Sequence, residues 1–339
     1  MPANQQILLD NRPVGEAAAS NFKLTSADTP ALVDGQVLVR HHFLSLDPYM
    51  RGRMSDAPSY AAPVEIGAVM VGGTVAQVVS SDVAGFSAGD RVQAFGGWQD
   101  YALSNGTGVI NMGKSPENPS WALGVLGMPG LTAWAGLTQI GQPKAGETLV
   151  VAGASGPVGA TVGQIGKILG LHVVGIAGGP AKCAHVVDTL GFDACVDYKA
   201  KGFPAALKAA VPDGIDIYFE NVGGAVFDAI LPLLNPKARI PVCGLISQYN
   251  ATALPEGPDR MNLLLGTILR KRMTLRGFIV FDDFAHLFPE FAKQMGEWVE
   301  ANRVLYREEM IEGLERAPAA FVGLLRGEAF GKRVVKLTD

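Results

Sequence analysis

The sequence predicts an α/β protein in which a doubly wound parallel sheet is joined to a β-rich module. Up to about Asn118, short runs of alternating apolar and polar residues end at turn formers, as antiparallel strands do. From Gly146 onward, apolar runs alternate with segments that can form helices. Near-continuous apolar strands between helices are typical of a parallel sheet covered on both faces. Two regions of different architecture therefore follow one another along the chain.

The β-rich module is predicted from three strand-like stretches. The first alternates and then turns at Asp47 and Pro48, the second is interpreted as one long strand with a glycine kink, and the third repeats the first pattern. Their sequences are GQVLVRHHFLSLD, EIGAVMVGGTVAQVVSS and AGDRVQAFGGWQDYAL.

The parallel sheet is predicted from apolar runs with potential helices between them. The runs are GETLVVAG, HVVGIAG, DACVDYK, GIDIYFENVG, ARIPVCGLI and MTLRGFIV. A helix with aromatic residues on one face, FDDFAHLFPEFAKQMGEWVEANRV, follows them, and the C-terminal stretch again supplies strand-like pieces. We interpret that last stretch as the chain returning to the first module.

Composition and cysteine usage exclude several classes of protein. With 18% charged residues and a net charge of −4, the chain lacks the basic excess needed to bind a phosphate backbone, so no nucleic-acid partner is expected. The three cysteines are widely spaced and form no C-x-x-C pair, which fits neither a disulfide framework nor a structural zinc cluster. A reducing, cytoplasmic setting is expected.

Hydropathy predicts neither a leader nor a membrane span. The N-terminus lacks the basic and apolar regions of a signal peptide. The most apolar run begins at Trp121, is interrupted by Pro129 and falls short of the roughly 20 residues that a span requires. We therefore expect no membrane partner.

The stretch from Val150 to Gly170 carries many glycines, although each interior glycine costs a helix roughly 1 kcal/mol relative to alanine. A strand is followed by a turn and by a helix beginning at Pro157, a residue suited to the first helical position. The early glycines would let the turn tighten and the backbone approach a pyrophosphate, and the later ones would let the helix pack closely. The two groups are Gly153, Gly156 and Gly159, then Gly163, Gly166 and Gly170. The alternative is packing alone, because the spacing is not the G-x-G-x-x-G fingerprint.

The end of the second strand of the sheet indicates which dinucleotide binds. An NAD-specific site places Asp or Glu there to hold the ribose 2′-hydroxyl, yet no acidic residue lies between Leu171 and Val187. A 2′-phosphate would meet Lys182 and free backbone N–H groups of Gly178 and Gly179. We therefore expect NADP(H) rather than NAD. The alternative for Lys182 is an exposed lysine at the start of a helix.

Neither a catalytic zinc nor a serine nucleophile is predicted. Three Cys or His ligands would have to converge on the metal, but adjacent His41 and His42 of one strand face opposite ways. No G-x-S-x-G elbow occurs. Hydride chemistry carried by the cofactor remains. It suits a C=C bond conjugated to a carbonyl, because the enolate oxygen that forms needs only hydrogen-bond donors.

Eight motifs occur in a characteristic order: LSLDPYMRGRM, GDRV, GMPGLTAWAGL, GASGPVG, LGFDACVDYK, YFENVGG, CGLISQYN and GEAFGKRVVK. Together they resemble the zinc-independent medium-chain dehydrogenase/reductase superfamily, specifically its alkenal/enone reductase branch, which includes the prostaglandin and leukotriene reductases. The resemblance covers nearly the full chain. It implies a GroES-like β-barrel domain over 1–125, completed by 305–339, and a Rossmann NADP-binding domain over 126–304. It also implies NADPH-dependent reduction of α,β-unsaturated aldehydes and ketones by a homodimer.

The resemblance assigns cofactor-binding residues position by position. The turn after the first strand of the sheet would lie along the pyrophosphate, Lys182 beside the 2′-phosphate, Tyr198 at the adenosine end and Asn221 near the nicotinamide half. The implied set is Ser155, Gly156, Pro157, Val158, Gly178, Lys182, Tyr198, Asn221, Cys243, Gly244, Ser247, Tyr249, Phe278, Ile279 and Val280. The alternatives are a sheet-capping role for Tyr198 and a turn-forming role for Asn221.

Tyr249 and Tyr49 are the candidate catalytic residues. A phenol, with a reference pKa of about 10, stays protonated at neutral pH and can donate to a developing enolate. Both are also expected to bind substrate, together with Arg51, which would anchor the Tyr49 loop or the cofactor. The alternative for Tyr49, beside Pro48, is packing within the β-rich module.

The chain departs from the family pattern in two places. Ala329 stands where the family usually has Asn, so that either the backbone or Lys332 compensates, or cofactor affinity is weaker. The segment NLLLGTILRKRMTLRGF lacks a tyrosine that some eukaryotic members carry, which places the chain nearer the bacterial-type relatives. Two other functions stay open: a quinone oxidoreductase of the same superfamily, and a dinucleotide-binding protein without turnover.

Overall fold

A computed structural model describes residues 3–253 and 257–338. The chain divides into two compact units. The first comprises Met1–Leu123 and Glu308–Asp339, and the second comprises Gly124–Arg307.

Strands occur in both units. In the described residues they are β1 (Asn4–Leu9), β2 (Phe22–Ala27), β3 (Val37–Ser45), β4 (Thr74–Ser81), β5 (Arg91–Ala94), β6 (Tyr101–Ser104), β7 (Ile110–Asn111), β8 (Thr148–Ala152), β9 (His172–Ala177), β10 (Ala194–Asp197), β11 (Ile215–Phe219), β12 (Leu234–Val242), β13 (Thr274–Gly277), β14 (Glu308–Glu312) and β15 (Lys332–Lys336).

Most helices belong to the second unit. In the described residues the α-helices are α1 (Met50–Arg53), α2 (Met128–Ala135), α3 (Pro157–Ile168), α4 (Pro180–Ala184), α5 (Phe203–Ala210), α6 (Gly224–Ile230), α7 (Met261–Lys271), α8 (Val280–Phe284), α9 (Phe288–Glu300) and α10 (Ala317–Leu325). Wider π-helical turns over Gly136–Gly141 and His185–Thr189 extend α2 and α4. Across these described ranges, no helix is both long and apolar enough to cross a membrane.

The second unit contains a six-stranded parallel sheet in the order β10-β9-β8-β11-β12-β13. Numbered from β8, this is the doubly wound order 3-2-1-4-5-6, in which the direction of winding reverses between β8 and β11. All five residues of β8 are buried, as expected for a strand covered on both faces. The predicted Rossmann sheet is confirmed. Ligands of such sheets bind beyond the carboxyl ends of the strands, at the point of reversal.

One hydrophobic core of this unit lies between the sheet and the helices that connect its strands. Val150 and Val174 of the sheet pack with Leu207 of α5 and Ile230 of α6, and all four are buried. Full burial of such a side chain stabilises the fold by roughly 1.5–3 kcal/mol. Packing in this core therefore holds β8, β9 and β11, and the turns that follow them, in position relative to one another.

The first unit is β-rich. Its seven-stranded sheet has the order β14-β15-β3-β4-β5-β7, with β6 also paired to β3, and β1 and β2 form a separate pair. β14 and β15 are parallel, whereas β15 runs antiparallel to β3. Val334 of β15 lies opposite Ser45 of β3. The C-terminal segment thus pairs with a strand near the N-terminus.

One strand is shorter than the sequence predicts. The run EIGAVMVGGTVAQVVSS is predicted as a single strand, but β4 covers only its last eight residues, so the prediction is wrong for the first part. A Cβ on Gly72 would lie 2.7 Å from Leu44 Cδ1 and 3.1 Å from Trp98 Cδ1. Because the backbone approaches the core this closely, the apolar alternation there reflects packing of an irregular segment rather than a strand.

Candidate functional site

The turn after β8 has backbone geometry that suits a phosphate. Gly153 has φ of 65°, a left-handed conformation that glycine adopts without steric penalty. The Gly156 N–H donates to the Gly153 carbonyl at 2.9 Å and closes the turn. Helix α3 then begins at Pro157, and Gly156 before it offers no side-chain cap. The N–H groups of the first helical turn are therefore directed at whatever anion lies beyond the strand.

The residues predicted to lie along the pyrophosphate are together in this turn. Gly156, Pro157 and Val158 keep partly exposed surface, whereas Ser155 is buried. All stand beyond the carboxyl end of β8, at the reversal point of the sheet. Their contact with a phosphate stays a prediction.

Close packing requires glycine at two further positions along α3, Gly159 and Gly166. A Cβ on Gly159 would lie 2.8 Å from the carbonyl carbon of Gly153, so the helix packs directly on the backbone of its own turn. A Cβ on Gly166 would lie 2.7 Å from Leu149 Cδ2. Gly159 therefore belongs to both predicted groups, because it tightens the turn by permitting close packing.

The turn after β9 contains an acidic contact that the sequence does not reveal. The Asp197 carboxylate, at the end of β10, accepts the Gly179 N–H at 2.8 Å and the Lys199 N–H at 2.9 Å. These backbone hydrogen bonds lower the pKa of Asp197. The prediction that the Gly179 N–H is free for a 2′-phosphate is therefore wrong. The carboxylate comes from the neighbouring strand β10, so the sequence of β9 and its turn gives no sign of it.

Gly178 and Tyr198 lie against each other beside that turn. A Cβ on Gly178 would lie 2.9 Å from Tyr198 Cε1, so only glycine leaves room for the ring. Tyr198 is 42% exposed, and the Lys199 Nζ lies 5.8 Å from the centroid of its ring. Lys182 stands on α4 and is partly exposed. An exposed aromatic face beside a lysine-bearing helix suits an adenosine with a 2′-phosphate.

Asn221 connects the ends of two strands at the reversal point. It follows β11, and its Nδ2 donates to the Ala152 carbonyl at the end of β8 at 2.8 Å. A Cβ on Gly153 would lie 3.8 Å from the Cβ of Asn221. The side chain therefore stands directly beside the turn that follows β8.

The segment Cys243–Tyr249 folds back onto the same edge. The Ser247 hydroxyl donates to the Val222 carbonyl at 2.6 Å. A Cβ on Gly244 would lie 3.0 Å from the Tyr249 hydroxyl, which places the phenol beside the residues that follow β12. Two predicted regions, Asn221 and Cys243–Tyr249, are thus brought together.

The third segment predicted to line the cofactor, residues 278–280, lies mostly in the hydrophobic core. Phe278 and Val280 are buried, and the Phe278 ring packs edge-on against Phe219 with a centroid distance of 6.5 Å and an interplanar angle of 85°. Ile279 keeps partly exposed surface, and its N–H donates to Asp283 Oδ2 at 3.0 Å. Any contribution of this segment to a cofactor site comes from its backbone and from Ile279.

In the first unit, Tyr49 stands in the turn between β3 and α1. Burial, and next the nearby Asp47 carboxylate, raise the pKa of Tyr49 above its usual value. The Arg53 guanidinium lies 5.9 Å from the centroid of its ring. The phenol therefore keeps its proton at neutral pH and remains a hydrogen-bond donor.

Arg51 anchors the same turn. It is buried, and its Nη2 donates to the Gly15 carbonyl at 2.8 Å. Anchoring is one of the roles that the sequence predicts for Arg51. Its contact with substrate stays a prediction.

Lys332 does not compensate for Ala329, and that alternative is wrong. Its side chain is 1% exposed, and its ammonium donates to the Leu46 carbonyl at 3.0 Å and pairs with Asp47 Oδ1 at 2.5 Å. The other Asp47 oxygen accepts the Ser45 hydroxyl. The ammonium group is thus held inside the first unit by the turn that precedes Tyr49.

The carboxyl edge of the parallel sheet fits a dinucleotide. It combines a positive-φ turn, a helix that begins without a side-chain cap and an exposed aromatic ring. Over 3–253 and 257–338, no group of three or more His, Cys, Asp or Glu side chains is placed to hold a metal ion.

Comparison with known proteins assigns the class. Residues 5–112 match the family described as the N-terminal domain of oxidoreductase, and residues 157–299 match the family described as zinc-binding dehydrogenase. The chain belongs to the medium-chain dehydrogenase/reductase superfamily, among its zinc-independent members. It is an NADP-dependent oxidoreductase, and NADP(H) is its cofactor.

Particular relatives match over almost their whole length. The chain is 58% identical over 334 residues to NADPH-dependent curcumin reductase of Escherichia coli (strain K12), covering 98% of this chain and 97% of the relative. It is 40% identical over 342 residues to 2-alkenal reductase (NADP(+)-dependent) of Nicotiana tabacum, covering 99% and 98%. The crystal structure of CurA in complex with NADPH from Vibrio vulnificus superposes with a TM-score of 0.97 at 58% identity, covering 99% of each chain.

Sequence reasoning missed three side chains that shape the site: Asp197, Glu220 and Asp47. Asp197 accepts N–H groups from its own turn and from the turn after β9, and Glu220 accepts an N–H group of the turn that follows it. Asp47 accepts the Ser45 hydroxyl and pairs with a distant lysine. A signal for the first two was present, since an acidic residue closes the runs DACVD and DIYFE. The Asp47 pair had no local signal.

Proposed function

We propose that this reductase acts on the C=C bond of α,β-unsaturated aldehydes and ketones. The observation that carries the proposal is the Tyr249 phenol at the carboxyl edge of the parallel sheet, beside Gly244. A donor is what the oxygen of a conjugated carbonyl needs when its β-carbon receives a hydride. The relationship to a 2-alkenal reductase, whose name states the aldehyde part of that substrate class, supports it.

Bound NADPH supplies the hydride. Hydride addition to the β-carbon moves negative charge onto the carbonyl oxygen, and we assign the Tyr249 hydroxyl as a donor to that oxygen. Tyr49 is a second candidate donor, because burial and Asp47 hold its phenol in the protonated form. The α-carbon then takes a proton from solvent or from a tyrosine.

The direct test compares substrates that differ only in conjugation. Purified protein should consume NADPH with 2-nonenal and not with nonanal, and the product should be the saturated aldehyde. Simple quinones should be slower substrates. Faster turnover of quinones would favour the quinone reductase alternative. If the protein binds NADPH tightly but oxidises it with no enal, enone or quinone, the proposal that it is a reductase of these substrates is wrong.

Tyr249→Phe tests the assigned donor. Losing the hydroxyl should lower kcat with 2-nonenal by about tenfold or more, as expected for removal of a donor to a developing oxyanion. NADPH affinity should change little. A variant with the wild-type kcat would discard this role.

We also propose a homodimer formed through the β13 edge of the parallel sheet. β13 ends that sheet, and α7, which precedes it, exposes apolar side chains on the same part of the chain. These side chains, with their exposed fractions, are Met261 (55%), Leu263 (54%), Leu265 (54%) and Leu269 (78%). A strand edge beside exposed leucines fits a second copy, because a two-fold axis would pair each feature with itself.

Light scattering after size exclusion tests the dimer. Wild type should be dimeric, and Leu265→Glu combined with Leu269→Glu should be monomeric. Val14→Glu, at a 92% exposed position in the first unit, is the matched control and should stay dimeric. A dimer that persists in the double variant would exclude this surface.

A cytoplasmic location is part of the proposal. Cys183, Cys195 and Cys243 are free thiols, as is usual in a reducing compartment. Recovery of the protein in the cytoplasmic fraction of cells expressing it would agree, and recovery outside the cell with oxidised thiols would contradict it.

A further inference from the structure

Glu220 joins the ends of β11 and β12 through its backbone. Its N–H donates to the Pro241 carbonyl at 3.0 Å. Its carbonyl accepts the Cys243 N–H at 2.9 Å and the Gly244 N–H at 3.2 Å. Glu220 therefore connects the starts of two predicted cofactor-lining regions, Asn221 and Cys243–Tyr249.

The side chain of Glu220 holds the turn that carries Asn221. It is 1% exposed, and its Oε1 accepts the N–H groups of Val222 at 2.6 Å and Gly223 at 2.8 Å. Gly223 has φ of 76°, so the chain bends sharply here before α6 begins. One buried oxygen thus fixes two successive N–H groups of a bend.

The surroundings of this carboxyl group are nearly dry. Burial raises its pKa, although the hydrogen bonds from Val222 and Gly223 oppose that shift. Burial and the Glu220 carboxyl also raise the pKa of the Cys243 thiol to about 12 and that of Tyr218 well above its usual value. A buried carboxyl group costs free energy unless its hydrogen bonds offset the loss of water. The two hydrogen bonds to Oε1 are the interactions that offset this cost here.

We propose that Glu220 is a positioning residue for NADPH. Its buried Oε1 sets the bend at Asn221, and its backbone sets the start of Cys243–Tyr249, so that both segments meet the cofactor with one fixed spacing. The inference rests on the assignment of Asn221 and Ser247 to the cofactor site. Glu220 itself is buried and is assigned no contact with the cofactor or the substrate.

Two variants of similar size separate hydrogen bonding from packing. Glu220→Gln keeps a carbonyl oxygen that can accept the two N–H groups, and Glu220→Leu keeps the volume without an acceptor. Asp216 supplies the matched control: it stands on β11, which Glu220 directly follows, and accepts the Thr148 N–H at 2.9 Å near the other end of that strand. NADPH dissociation constants are measured by titrating the fluorescence of bound NADPH, with no substrate present.

The expected result is an ordered series. Glu220→Gln should bind NADPH within about threefold of wild type, and Glu220→Leu should bind it about tenfold or more weakly. Asp216→Leu should lose thermal stability but keep wild-type NADPH affinity. Equal affinities of the Gln and Leu variants, or an equal loss in Asp216→Leu, would overturn the proposal.

A further variant keeps the test decisive if Glu220→Leu does not fold. Glu220→Asp keeps the charge but withdraws the oxygen by one methylene, and it should bind NADPH more weakly than Glu220→Gln. Equal affinities of these two variants would overturn the proposal. Asn221→Ala tests separately whether Asn221 belongs to the cofactor site. Unchanged NADPH affinity in this variant would exclude Asn221 from that site, whatever the Glu220 variants show.

Discussion

Two turns carry the chemistry assigned to this protein, and they are held in opposite ways. The turn after β8 is closed by a hydrogen bond from Gly156 to Gly153 and by the packing of Gly159 on its own backbone. The turn before Tyr49 is held by the Asp47–Lys332 ion pair, whose partners are 285 positions apart in the chain. The first is specified by neighbouring residues and the second by a strand from the other end of the sequence.

The two turns also differ in the forces they use. The turn after β8 depends on glycines that carry no side chain, so a substitution there disrupts the turn by steric clash. The Tyr49 turn depends on a buried charge pair, and removing one partner leaves the other ionised group in a dry environment. Substitutions in the two turns should therefore lower stability by different amounts, and those in the turn after β8 should also weaken NADPH binding.

The largest effect is expected at the ion pair. Lys332→Met leaves the buried Asp47 carboxylate without its cation and should lower the free energy of unfolding by about 3–5 kcal/mol, measured by urea denaturation. Arg326→Met is the control, because it removes an ion pair with Glu16 whose side chains are 51% and 63% exposed. It should cost less than about 1 kcal/mol. Similar losses in the two variants would mean that the buried pair does not hold the turn.

The next effect concerns pH and is again specific to the first unit. His41 is buried with its Nδ1 2.6 Å from the Gln99 carbonyl, and burial lowers its pKa from 6.5 to about 4. Between these values the unfolded chain binds more protons than the folded one. His41 therefore costs nothing above pH 6.5 and destabilises the fold progressively as pH falls to about 4.

The full cost at low pH should approach about 3 kcal/mol. Urea denaturation of wild type and His41→Gln across this pH range checks it, since the variant should lose less stability on acidification. Parallel pH profiles would show that the imidazole is not held neutral.

The steric turn should respond more modestly. Gly159→Ala forces a Cβ to within 2.8 Å of the Gly153 carbonyl carbon. It should cost about 2 kcal/mol of stability and weaken NADPH binding by shifting the turn. Gly296→Ala, at a helical glycine of α9 with open space around it, is the control and should stabilise the protein by up to about 1 kcal/mol. Equal effects of the two alanines would contradict the tight packing of α3 on its turn.

The smallest effect is expected at the 2′-phosphate end. Lys182→Ala should raise KM for NADPH about tenfold and leave KM for NADH unchanged, because only NADPH carries the phosphate. Lys208→Ala, at an exposed position on α5, is the control and should change neither. An equal rise for both cofactors in Lys182→Ala would remove the lysine from the phosphate site.

Much of the second unit was predictable because its constraints are local. Apolar runs between helices predict the doubly wound sheet, and Pro157 correctly marks the start of α3. The same locality caused the error at Gly179, whose N–H is taken by Asp197 on the next strand. Pairing of β9 with β10 joins these residues, and one sequence does not show which strands will be neighbours.

The first unit was predictable only as a class. Alternation correctly indicates strands, but it also suggests a strand before β4, where the chain packs irregularly against Leu44 and Trp98. The sequence offers Lys332 as one alternative that compensates for Ala329. In the structure, the Lys332 ammonium forms a buried ion pair with Asp47 instead.

The parallel sheet and its glycine turn follow from local sequence, because strand periodicity and a proline at a helix start act over a few residues. The positions of the Asp47, Asp197 and Glu220 carboxylates depend instead on the packing of the folded chain. A buried charge is tolerated only where partners converge on it, and those partners come from strands that the fold, and not the chain order, makes adjacent.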